Sequence, residues 1–106
     1  MTDFVQNHLG PKLEKDGWEN TKILGYDQNR SGIKEWADAM YRDEAASKYF
    51  DGMAIHWYES TYEVFPKDLQ YAHNKAPNKY LIETEGCIDS EIPHWQDDAW
   101  YWKKEA

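Results

Sequence analysis

Three short apolar runs, each ending in polar residues and each followed by a stretch of helical periodicity, set the strongest limit on the fold. The runs are "TKILGYDQN" (residues 21–29), "GMAIHWY" (52–58) and "KYLIETE" (79–85). Before the first, residues 3–15 place Phe4, Val5, His8, Leu9 and Leu13 near one helical face. Pro11 sits inside that stretch and argues for two short pieces, because proline cannot donate to the helical ladder. Residues 33–50 form the clearest helix, with an apolar stripe of Ile33, Trp36, Ala37, Met40, Tyr41 and Ala45. Residues 67–74 and the segment from Trp95 onward complete the series. Gly17, the Asp51-Gly52 pair and Pro77 punctuate it. Strands alternating with helices argue for an α/β fold of parallel βα units, joined by right-handed crossovers.

The chain has 106 residues, enough for one small domain, and residues 1–106 are read as a single segment. Hydrophobic residues make up 41%, so a core is within reach. Six Trp and eight Tyr are a heavy load, and such rings either fill a core or line a site for ring-shaped ligands. The net charge of −8 repels phosphate backbones, and the Lys and Arg residues form no basic stripe, which excludes nucleic acid as a partner. A single cysteine, Cys87, allows no internal disulfide. No apolar stretch approaches the ~18 residues that a membrane-spanning helix needs. The start "MTDFVQNHLGPKLEK" lacks the basic and apolar regions of a signal peptide, and the compartment is left unassigned.

Chemistry collects at the ends of the three runs. The first closes on Tyr26, Asp27, Gln28 and Asn29, the second on His56, Trp57 and Tyr58, the third on Glu83 and Glu85. In parallel α/β folds ligands bind outside the C-terminal ends of the strands. Glu83 and Glu85, two residues apart, share a face in a regular strand. Glu85 is either a functional carboxylate or a rim carboxylate hydrogen-bonded for structure. His56 is either a satisfied core histidine or a catalytic neighbour, and Tyr58 either donates to Glu85 or packs. Trp57 either stacks on a sugar or fills volume. Asp27 and Gln28 either make an ordinary turn or supply hydrogen bonds to hydroxyls. Cys87, His56 and Glu85 match no standard ligand spacing, so no metal is expected. A Cys–His nucleophile pair is equally unsupported. "GYDQNRSG" has no P-loop lysine, and no cofactor is expected.

Four stretches, "KILGYDQNR", "EAASKYFDGMAIHWY", "PNKYLIETEGC" and "HWQDDAWYW", resemble glycoside hydrolase family 30, the glucosylceramidase family. The likeness covers nearly the whole chain. Its most specific part is an "HWY" strand end followed by a "TEGC" strand end, behind a "DQ" strand. The resemblance implies a (β/α)8 TIM barrel, of which this chain holds strands five to seven with flanking helices. It also implies a retaining β-glycosidase acting through two glutamates. On that likeness Glu85 takes the nucleophile's position, His56 and Tyr58 match neighbours that orient the carboxylates, and Asp27, Gln28 and Trp57 fall to substrate binding. Gly86 stands where many members carry Ala.

One departure matters. The family's acid/base glutamate lies in an Asn-Glu pair on strand four, and this chain has no such dipeptide. The sequence reads as three of eight βα units, less than half of the ~250 residues of a complete barrel. The implied substrate is a β-glucoside or a glucosylceramide-like lipid. The implied structural partner is the remainder of the barrel, or another copy of the chain meeting its open strand edges. The alternative reading, from a different class, is a non-catalytic carbohydrate-binding or interaction module.

Overall fold

The computed structural model describes residues 1–60 and 63–87. β1 (Leu24–Asn29), β2 (Gly52–His56) and β3 (Tyr80–Glu85) form one parallel sheet in the order β1-β2-β3. The helices are α1 (Thr2–Phe4), α2 (Gly10–Lys15), α3 (Ile33–Tyr41), α4 (Glu44–Ser47) and α5 (Pro66–Lys75). The βα alternation is therefore realised as three adjacent parallel strands with flanking helices, a partial (β/α)8 barrel. The last expected helix, from Trp95 onward, lies outside the described residues.

Two helices differ instructively from their periodicity. Pro11 leaves no gap between two pieces. Instead α1 and α2 are joined by a π-helical turn, Val5–Leu9, closed by the Gly10 amide on the Val5 carbonyl. The widened turn lies just before the proline, whose ring would otherwise press on the carbonyl four residues back. The expected helix over 33–50 breaks at Asp43, whose backbone is extended (φ −105°, ψ 127°). The break shifts the helical phase. Ala46 is buried where the unbroken stripe pointed to Ala45, while Ile33, Ala37 and Met40 hold the core side of α3 as expected.

The core lies between the sheet and these helices. Val5, Ile33, Ala37, Met40, Ala46, Phe50, Met53, Ile55 and Ala72 form it. Met53 and Ile55 alternate with Ala54 and His56, so β2 turns one face to the helices and the other to the barrel interior. Gly25 is required beside this core, because a Cβ there would meet Met40 Cε at 2.6 Å and Phe50 Cε1 at 2.9 Å. β3 is far more exposed than its apolar sequence suggests. Tyr80 is 52% and Ile82 38% exposed. Both align with the interior-facing residues of β2, on a face that a closed barrel would cover.

The N-terminal ends of the strands are tied together by Asp51. Its Oδ2 accepts from the Ile23 amide at 2.8 Å and its amide donates to the Ile23 carbonyl at 2.8 Å. Its carbonyl accepts from the Tyr80 amide at 2.9 Å. Lys79 Nζ donates to the carbonyls of Ser47 and Phe50 at 2.8 and 2.5 Å, tying the start of β3 to the turn that follows α4. With that end fixed, the C-terminal tips are free to depart from regular sheet geometry.

Candidate active site at the strand tips

Both outer strands bulge next to the tip of β2. On β1, Tyr26 pairs with Ala54 and Gln28 with Ile55, leaving Asp27 as the extra residue. On β3, Glu83 pairs with Ile55 and Glu85 with His56, leaving Thr84 as the extra residue. Ile55 and His56 face opposite sides of the sheet. Glu83 and Glu85, expected on one face, are therefore parted by the bulge, which adds one residue and inverts the alternation beyond it. Glu83 turns to Arg30, with Arg30 Nη2 at 2.9 Å from Glu83 Oε2. Glu85 turns to His56, with Oε1 at 3.8 Å from Nε2.

The β1 bulge is built on left-handed backbone at two non-glycine residues, Tyr26 (φ 76°) and Asp27 (φ 54°). Such conformations cost about 1–3 kcal/mol each and persist where the surroundings over-determine them. Here the Tyr26 ring packs on Trp36 at 5.6 Å. Its hydroxyl accepts from the Gly32 amide at 2.9 Å and donates to the Asn29 carbonyl. Gly32 leaves room for that hydroxyl, since a Cβ there would stand 2.5 Å from it.

The kink directs Asp27 over the tip of β2. Asp27 Oδ1 lies 2.9 Å from His56 Nε2 and accepts from Thr84 Oγ1 at 3.0 Å. These two bonds, the one from His56 first, hold the Asp27 carboxyl below its ordinary range. His56 is buried, as a residue inside an apolar strand should be, yet its ring reaches both Asp27 and Glu85. His56 is packed and bonded to Asp27, and its Nε2 also lies near the Glu85 carboxylate. Glu85 is exposed, and its backbone carbonyl accepts from the Trp57 amide at 3.3 Å.

Tyr58 follows β2 and is 46% exposed. Its ring meets His56 edge-on at 6.1 Å, and its hydroxyl donates to Cys87 Sγ at 3.6 Å. That bond, then desolvation and the charges of Cys87 and Glu85, push the phenol up to about 12. The Tyr58 amide donates to Asn29 Oδ1 at 3.0 Å, fixing the turn to β1. Trp57 is buried, with its ring bordering the space beside Gly86 that a Cβ would enter. Gln28 is exposed and its Oε1 accepts from the Asn29 amide at 3.0 Å.

Of the six residues singled out from the sequence, Asp27, His56, Tyr58 and Glu85 thus converge on one patch. Trp57 packs beneath it, and Gln28 bonds to its own strand end. Sequence reasoning passed over Thr84 and Arg30. Thr84 is visible only as a small hydroxyl residue between two glutamates, and Arg30 only as a charge just past a strand. Neither signal predicts a bond across the intervening strand. Among the described residues no group of three His, Cys, Asp or Glu side chains is placed to hold a metal ion. Two cavities, of about 250 Å³ beside Met1 and Trp36 and about 100 Å³ beside Gly10 and Tyr49, lie away from the patch.

Residues 1–104 match the glycosyl hydrolase family 30 TIM-barrel domain. Lysosomal acid glucosylceramidase of Mus musculus is 33% identical over 97 residues, which cover 92% of this chain and 18% of that protein. Among solved structures, SrfJ from Salmonella typhimurium superposes with a TM-score of 0.69 at 29% identity, over 96% of this chain and 24% of that one. An endo-beta1,6-glucanase superposes with a TM-score of 0.70 at 32% identity, over 85% of this chain and 20% of that one. The chain therefore spans about a fifth of the length of these relatives. With the family matched along almost its whole length, and with three parallel strands whose tips gather the expected polar residues, the chain belongs to glycoside hydrolase family 30 as a part of its TIM-barrel domain.

Proposed function

We propose that residues 1–106 form one segment of the catalytic barrel of a retaining β-glycosidase, supplying strands five to seven, with Glu85 as the nucleophile. The observation that carries this reading is the placement of Glu85. It stands exposed at the C-terminal tip of β3, 3.8 Å from a buried histidine that is itself held by Asp27. Barrel enzymes keep their chemistry at that end of the strands. The substrate class that fits the family is an O-glycosyl bond of a glucosylceramide-like lipid or a β-glucan.

In this reading a Glu85 oxygen attacks the anomeric carbon as the bond to the leaving oxygen breaks, forming a glycosyl ester. The leaving oxygen takes a proton from a second carboxyl group about 5 Å from the first. Water then attacks the anomeric carbon, returns a proton to that second carboxylate and frees Glu85. Tyr58 contributes a phenol that stays protonated and able to donate beside the nucleophile. His56 keeps Asp27 and Glu85 in register. No Asn-Glu pair occurs in the chain, so the acid comes from another part of the barrel.

That same lack favours a second reading for the 106 residues taken alone, a tip that holds a sugar without cleaving it. The discriminating experiment is chemical rescue in a complete barrel carrying this segment. Glu85→Gly should abolish turnover of an aryl β-glucoside, and azide should restore it by giving the α-glycosyl azide. Turnover unaffected by the substitution would refute Glu85 as the nucleophile.

A further inference from the structure

The ion pair between Arg30 and Glu83 belongs to none of the steps above, yet it sits two residues from Glu85. We propose that Arg30 and Glu83 are positioning residues, a brace across β2 that fixes the bulged tip on which Glu85 stands. The inference rests on the reading of Glu85 as nucleophile, and the following observations lead to it.

β3 has one hydrogen-bonded neighbour in the described sheet, and its residues are mostly exposed. Packing therefore does little to hold its end. At that end the regular ladder is interrupted by Thr84, and the Trp57–Glu85 backbone bond beyond the bulge is long, at 3.3 Å. Arg30, by contrast, is anchored. Its side chain is 5% exposed, and it opens the 3-10 turn Arg30–Gly32 that leads from β1 into α3. A guanidinium keeps its charge when buried and holds a carboxylate in a fixed direction. The adjacent residue, Asn29, fixes the Tyr58 amide. Two consecutive residues at the end of β1 thus hold the segments that present Tyr58 and Glu85.

The Glu83 carboxylate also reaches forward past Glu85. A Cβ on Gly86 would lie 3.1 Å from Glu83 Oε1 and 3.2 Å from Trp57 Cδ2. Glu83 therefore pairs with Arg30 through one oxygen, while the other borders the space beside Gly86. Glycine at 86 leaves the space that this arrangement uses.

The Trp57 amide reports the result directly, because its acceptor is the Glu85 carbonyl. The experiment is amide hydrogen exchange on a complete barrel carrying this segment, comparing the native sequence with Glu83→Gln, Arg30→Met and the exchanged pair Arg30→Glu/Glu83→Arg. Each single variant should speed exchange at Trp57 by about five- to tenfold while leaving Met53 and Ile55 unchanged, the signature of local opening. The exchanged pair should recover at least part of that protection. Unchanged exchange at Trp57 in Glu83→Gln would overturn the proposal. So would equal acceleration at Trp57, Met53 and Ile55, which would make the pair a general stabiliser. The readout is the placement of Glu85 and not its chemistry, so the brace can fail while azide rescue still identifies the nucleophile, and the reverse.

Discussion

Thr84 Oγ1 donates to Asp27 Oδ1 at 3.0 Å, and these two residues are the extra members of the bulges on either side of β2. A strand lies between them, so the bond closes over the tip of β2 and over His56. Bulges re-aim side chains, and they recur beside active sites. Here a pair of them turns two outer strands toward each other.

The bond has a consequence for stability. Asp27 is held below its ordinary range by His56 and then by Thr84. A depressed carboxyl stabilises the fold fully above its unfolded value, near ~3.9, and loses that contribution as pH falls through the folded value. Asp27→Asn should therefore be less stable than the native chain at neutral pH, with the difference closing as pH drops below about 4. Denaturant midpoints measured across that range check it. A difference that does not change with pH would show that the Asp27 charge is not what matters.

Much of this tip was legible in the sequence, and the illegible part has a physical cause. Alternating periodicity marked three strands and their helices, and polar endings marked Asp27, His56, Tyr58 and Glu85. Periodicity assumes a regular strand, however. It placed Glu83 and Glu85 on one face, and the bulge at Thr84 separated them. It also ran one helix through Asp43, where an extended residue breaks the ladder. The break at Asp43 is a local event in which its carbonyl accepts from the Ala46 and Ser47 amides of the next helix. The bulge, by contrast, is decided by tertiary partners, Arg30 for Glu83 and Asp27 for Thr84. The burial of Trp57 is similar, since its neighbour Gly86 supplies the space.

Tyr58 and Cys87 give a second test. The largest influence raising the Tyr58 phenol is its hydrogen bond to Cys87 Sγ at 3.6 Å. Cys87→Ala should bring that phenol down from about 12 toward the ordinary tyrosine value. Difference titration of phenolate absorbance between the two chains reads this. Superimposable curves would mean that burial and Glu85 alone set the value.

The isolated chain should show no turnover of an aryl β-glucoside and should self-associate. General acid catalysis contributes about 10²–10⁴-fold, and the chain carries no Asn-Glu pair to supply it. Exposed Tyr80 and Ile82 lie on a sheet face with apolar surface to bury, and an open strand edge invites pairing. An enzyme assay combined with light scattering decides. A well-behaved monomer whose turnover is abolished by Glu85→Gln would contradict both parts.

The central claim is that Glu85 forms a covalent bond to the sugar. A complete barrel carrying this segment, inactivated with a fluoroglycoside that traps the glycosyl-enzyme, answers this most directly. After proteolysis, mass spectrometry of the modified peptide should place the sugar on Glu85, within "KYLIETEGC". A label on Glu83, or on any residue outside that peptide, would contradict the assignment.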